Sequence, residues 1–81
     1  MNIHVLFFGS CREAIQTSEL ALELSSPASV ASAFAALRTR FPVLEDFGNS
    51  LLFAVNEEHS RLGDAIKDGD TLAIFPPVSG G

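Results

Sequence analysis

A single stretch of this chain carries a helical period of useful length, and it is embedded among segments with the two-residue alternation of strands. Val30, Phe34, Leu37 and Phe41 recur every three or four residues behind Ser29, a residue suited to cap a helix N-terminus. Arg38 and Arg40 place cations where the helix dipole is negative, and Pro42 forbids continuation, so the spacing predicts a helix from Val30 to Arg40. With one amphipathic helix available, only one face of a sheet can be covered by it.

Four segments supply the strands. Ile3 to Phe8 is apolar at nearly every position and rich in β-branched and aromatic residues, which predicts a strand buried on much of both faces, near the sheet centre. From Ser18 to Leu24, Leu20, Leu22 and Leu24 alternate with Glu19, Ala21 and Glu23, the pattern of a half-exposed strand pairing antiparallel with the first. Leu51 to Val55, closed by an Asn56-Glu57-Glu58 turn, and Thr71 to Phe75, preceded by Asp68-Gly69-Asp70, complete the set. Cys11 to Gln16 suits either a helical turn or a loop. The expected class is α+β, one helix packed on one face of a mixed sheet, with residues 1–81 as a single domain and 76–81 as a projecting tail.

Length and composition narrow the function. A chain of 81 residues has room for one core, and its apolar fraction of 47%, with seven Phe, is ample to build it. A core of this size supplies only about 3 to 5 kcal/mol of net stability, so a stabilising protein partner is consistent with it. The lone Cys11 excludes an internal disulfide and a multi-cysteine zinc site, which predicts a reducing, cytoplasmic setting. No apolar run has the length of a signal core or a membrane span. Ten acidic against five basic side chains, with no basic cluster, argue against nucleic acid and fit either a soluble acidic surface or partners with basic faces.

The final residues, Phe75-Pro76-Pro77-Val78-Ser79-Gly80-Gly81, carry the chemistry. Prolines cannot donate ladder hydrogen bonds, so the last strand must leave the sheet at Pro76 and the tail is expected to project. Two glycines let a backbone thread a narrow channel and leave the terminal carbonyl carbon open to attack. A carboxylate is a poor electrophile, so activation has to come from another enzyme. Adenylation makes a mixed anhydride from which a sulfur nucleophile displaces AMP, leaving a thiocarboxylate. The plain alternative is a disordered chain end, common at termini.

The Phe-Pro-Pro-Val-Ser-Gly-Gly ending resembles that of the small subunits of molybdopterin synthase, ubiquitin-like sulfur carriers. The resemblance extends through Val5-Leu6-Phe7-Phe8 with Arg12-Glu13, Ala54-Val55-Asn56 and Asp68-Gly69-Asp70, and departs most in the Ala-rich helix face from Ala31 to Ala36. It implies a β-grasp fold and two partners: a ubiquitin-activating-type adenylyltransferase that consumes ATP, and a large catalytic subunit in which the loaded tail gives sulfur to a cyclic pyranopterin phosphate. It further implies that Gly81 is the acyl group, Gly80 its slender neighbour, and Phe75, Pro76, Pro77, Val78 and Ser79 the docking segment, with no cofactor held by the chain itself. A thiamine-pathway sulfur carrier and a ubiquitin-like module conjugated to lysines share the Gly-Gly end and stay open as alternatives.

Other polar residues suggest no second centre. His4, Cys11 and His59 lack ligand spacing, and nothing basic except Arg12 adjoins Cys11 to lower its pKa. Glu57-Glu58 and Asp68/Asp70 read as turn residues. The Phe set is expected to be mostly core, with Phe75 as the exception.

Overall fold

The computed structural model describes residues 1–77. In chain order the elements are β1 (Asn2–Phe7), α1 (Gly9–Ile15), β2 (Glu19–Glu23), β3 (Ala28–Ser29), α2 (Val30–Arg40), a 3₁₀ stretch (Pro42–Phe47), β4 (Leu52–Val55), β5 (Glu58–Ser60), β6 (Ala65–Ile66) and β7 (Thr71–Phe75). The main sheet has the order β2-β1-β7-β4-β5, and β3 pairs with β6 in a separate ribbon. All neighbours in the main sheet are antiparallel except β1 and β7, which run parallel with Phe7 opposite Ile74.

Helix α2 has the bounds its pattern predicts, held by a reciprocal cap. The Ser32 amide donates to Ser29 Oγ at 3.2 Å while the Ser29 amide donates to Ser32 Oγ at 2.8 Å. At the other end Phe41 leaves helical geometry but still donates its amide to the Leu37 carbonyl at 2.7 Å. Val30, Ala33, Phe34 and Leu37 are buried against the sheet. Phe34 meets Phe53 of β4 edge-on, with ring centroids 5.1 Å apart, and Phe41 meets Phe7 of β1 at 6.2 Å. Arg38 and Arg40 do more than end the helix: their guanidinium carbons lie 4.9 and 5.4 Å from the ring centroids of Phe34 and Phe41.

The sheet corrects the expectation for the first strand. β1 lies near the sheet centre as expected, paired on both edges and next to the middle strand β7, but it is buried on one face only: Ile3, Val5 and Phe7 face the core, His4 is exposed and Leu6 half-buried. The cause is the single helical layer; among the described residues nothing covers the opposite face. The ambiguous segment after β1 is a helix whose Cys11 is fully buried, and burial pushes its thiol pKa up.

Both expected turns form. Asn56 and Glu57 have φ of 51° and 70°, the positive pair that a two-residue primed hairpin requires. Glu58, expected in this turn, instead opens the short strand β5. In the second turn Gly69 has φ of 87°, Asp68 accepts the Asn2 amide at 2.7 Å, and Asp70 accepts the Lys67 amide at 2.8 Å. Asn56 joins the two turns, donating to Asp70 Oδ1 at 2.9 Å and accepting the Thr71 amide at 3.0 Å. These carboxylates are therefore structural. The hydrogen bonds from the Lys67 amide and the Asn56 side chain hold Asp70 below its ordinary pKa.

Candidate functional site

The region of interest is the C-terminal end of β7, where the described chain leaves the sheet. Leu72 and Ile74 point into the core, so Thr71, Ala73 and Phe75 fall on the uncovered face. Phe75 pairs with Leu52 of β4 and is half-buried without joining the core cluster. Its expected status as the non-core Phe at the base of the tail agrees with this position.

It is not alone. Phe8, just past β1, is 44% exposed and extends the apolar character of the same face. A shallow depression of about 430 Å³ runs between Leu6, Phe8, Thr71 and Ala73, bounded by Asn56 and Glu57. Sequence pattern missed Phe8 because it continues an apolar run that otherwise reads as buried strand. The one signal available was its position immediately before Gly9-Ser10, where the strand ends.

The exit of β7 is shaped from below by Gly9. The Phe8 amide donates to the Ile74 carbonyl at 3.0 Å, carrying the parallel pairing one residue beyond β1 and bringing Gly9 against Pro76. Gly9 has φ of +58°, and a Cβ there would lie 3.1 Å from Pro76 Cγ and 3.2 Å from Cδ. Glycine is favoured at this position both by backbone conformation and by the approach of the proline ring. Pro76 is half-buried against it and Pro77 is exposed, so β7 ends where the prolines predict. Val78, Ser79, Gly80 and Gly81, the remaining sequence-predicted site residues, lie outside the described residues.

The other candidates are dispersed. His4 lies on the uncovered face of β1, where Nε2 is 3.3 Å from Glu19 Oε2, and His59 lies on β5. Cys11 is enclosed beneath α1. Among the described residues no group of three His, Cys, Asp or Glu side chains converges on a common point, and no helix is long and apolar enough to cross a membrane. The geometry thus offers no catalytic constellation within residues 1–77. What it offers is an apolar sheet face beside a proline-stiffened exit.

Comparison with known proteins agrees with this layout. Residues 5–81 match the ThiS family. Over 83 aligned residues spanning the whole of both chains, the sequence is 39% identical to the molybdopterin synthase sulfur carrier subunit of Chlamydomonas reinhardtii. Among solved structures, SAMP1 from Haloferax volcanii superposes with a TM-score of 0.88 at 31% identity, over the full length of both chains. A chain in the complex of subunits 1 and 2 of molybdopterin-converting factor from Helicobacter pylori shares the fold, with a TM-score of 0.70 at 24% identity over all of both chains. The five-stranded mixed sheet with α2 on one face is a ubiquitin-like β-grasp.

Proposed function

The chain belongs to the ThiS family, within the molybdopterin synthase sulfur carrier subunits, and on that premise we propose that it delivers sulfur from its own C-terminus. The observation that carries the proposal is the exit of β7: a strand anchored in the centre of the sheet stops at Phe75, and Pro76 and Pro77 follow it beside an uncovered apolar face, with Val78-Ser79-Gly80-Gly81 next in the sequence. The whole chain then acts as one β-grasp unit with 76–81 as its working tail.

In this scheme a ubiquitin-activating-type adenylyltransferase presents ATP to the tail. A Gly81 carboxylate oxygen attacks the α-phosphorus and pyrophosphate leaves. A sulfur nucleophile then attacks the acyl carbon, and AMP departs with the bonding electron pair, leaving the thiocarboxylate. Gly80 and Gly81 have no side chains to obstruct either approach. The large synthase subunit accepts the loaded tail, Phe75 and Phe8 dock the sheet face, and sulfur passes to a cyclic pyranopterin phosphate. Two such transfers build a dithiolene. The subunit 1 and 2 complex from Helicobacter pylori, which shares this fold, supports a large-subunit partner. The carrier holds no cofactor of its own; ATP is consumed by the activating enzyme, and the setting is the cytoplasm.

The test is to incubate the full chain with the activating enzyme, ATP and a sulfur source and weigh the product. A species heavier by the difference between one sulfur and one oxygen is expected. Deleting Gly81, or adding one residue beyond it, shifts the carboxylate by roughly 3.3 to 3.6 Å and should abolish loading without moving the melting curve. Loading of either variant at a near-normal rate, with trimming excluded by mass, would refute the scheme. The likeness to SAMP1, a small archaeal modifier protein, favours one second reading, in which the tail is joined to lysines. An isopeptide-linked product in place of the thiocarboxylate would establish it.

A further inference from the structure

The end of the sheet from which the tail departs bears a second feature, separate from the apolar face. Leu52 lies opposite Phe75, and Ser60 lies opposite Phe53, so the chain beyond Ser60 returns to the same end as the exit of β7. There, between the loop after the 3₁₀ stretch and Arg61-Leu62, is a cleft of about 240 Å³. Two strand spacings, about 10 Å, separate β5 from β7. A protein that grips the tail therefore lies within reach of this cleft.

Its lining is apolar at the floor and basic at the rim. Phe34, Leu51 and Phe53 form the floor, and Leu62, 47% exposed, forms one wall. His59 and Arg61 stand at the rim, and Arg38 lies over the Phe34 ring from the helix side. No carboxylate lines the cleft, and among the described residues neither Arg38 nor Arg61 has a carboxylate within ion-pair distance. In a chain with twice as many acids as bases and a net charge of −5, Arg61 thus lines an apolar hollow that has no carboxylate in its wall, with Arg38 over the Phe34 ring and the nearby Asp64 carboxylate accepting the Arg61 backbone amide at 2.9 Å. A guanidinium at the rim of an apolar hollow with no carboxylate in its wall suits a partner that brings one. The volume is below the roughly 300 to 1,000 Å³ of pockets that enclose whole small ligands, and suits one or two inserted side chains.

Resting on the sulfur-carrier reading for the partner's identity, we propose that this cleft receives an acidic segment of the large synthase subunit, with an apolar side chain seated on Phe34 and Leu62 and a neighbouring carboxylate held by Arg61 and Arg38. It forms a second grip beside the tail, and its basic rim supplies orientation before the tail enters.

The experiment titrates the full-length protein against the purified large subunit at low and high ionic strength. Arg61→Glu is expected to raise Kd by about tenfold or more at low salt, with the difference from wild type shrinking as salt screens the pair. Arg61→Lys should keep most of the affinity, and Leu62→Ser should raise Kd severalfold independently of salt. Arg61 and Leu62 are exposed, so unchanged melting curves establish that the variants are folded. If wild type binds and Arg61→Glu and Leu62→Ser bind equally well, the cleft proposal is overturned and the carrier reading stands, even if binding to the activating enzyme falls. If the wild-type chain does not bind the large subunit at all, both are overturned.

Discussion

Replacing Gly9 by alanine tests whether the sheet aims the tail. Two effects follow from the geometry. An L-residue at φ of +58° sits in the left-handed region, at a cost of about 1 to 2 kcal/mol. For a domain of this size each kcal/mol lowers Tm by roughly 4 to 8 °C. Separately, the new Cβ would meet Pro76 Cγ at 3.1 Å, where carbon atoms prefer about 3.5 to 4.0 Å, so the ring must retreat by at least ~0.4 Å. Pivoted over one residue of about 3.6 Å, that retreat tilts the chain leaving Pro76 by about 6°, and the end of any fully extended five-residue segment, at most about 17 Å long, would then move by up to about 2 Å. Misplacement by about 1 Å can cost a positioned reaction a hundredfold. The assay is single-turnover sulfur transfer from preloaded thiocarboxylate, below Tm, with binding and chemistry resolved by varying the large subunit. A fall in transfer of at least tenfold is expected. Pro76→Ala, which removes Cγ and Cδ, should restore part of the rate to the double variant but none of the backbone strain to its Tm. If Gly9→Ala transfers sulfur at the wild-type rate, or Pro76→Ala gives no rescue, the contact does not steer the tail.

Phe75→Ala should weaken association with the large subunit by about 2 kcal/mol or more, measured by titration, while costing the fold about 1 kcal/mol, because its ring lies outside the core cluster. Collapse of the circular dichroism spectrum would place that ring in the core instead. Leu37→Ala empties a fully buried site under α2 and should cost about 2 to 5 kcal/mol, comparable to the whole net stability of a core this small, so denaturant melts should show a largely unfolded chain at 37 °C. Asp70 has a folded pKa below its ordinary 3.8. Its ionised form therefore contributes stability that is fully present above that value and is lost as pH falls through the lower folded pKa. Asp70→Asn should be less stable than wild type near neutrality, and the two acid-unfolding curves should converge as pH falls below 3.8 and through the lower folded pKa; a constant gap across that range would assign the effect to lost geometry rather than to charge.

How much of this was legible in the sequence depends on the range of the interactions. The bounds of α2, the turn at Asp68-Gly69-Asp70 and the end of β7 before Pro76 follow from residues within a few positions of one another, and each appears where the local pattern places it. The β-grasp fold and the family were legible too, through the final seven residues and the resemblance they carry. Tertiary structure decided what depends on pairing between distant segments. Alternation shows that a strand has two faces but not which face is covered, so exposed Phe8 and buried Phe7 look alike in an apolar run. β5 and the β3-β6 ribbon are too short to show a period and exist because partners lie across from them. The parallel pairing of β1 with β7 joins the two ends of the chain, and only that pairing sets β7 at the centre and brings Gly9 against Pro76. The sequence by itself thus supplied the group proposed to do the chemistry, because the chemistry of a terminal Gly-Gly is local to it. Where β7 ends relative to β1, and what surface lies beside that end, were decided by contacts between residues more than sixty positions apart.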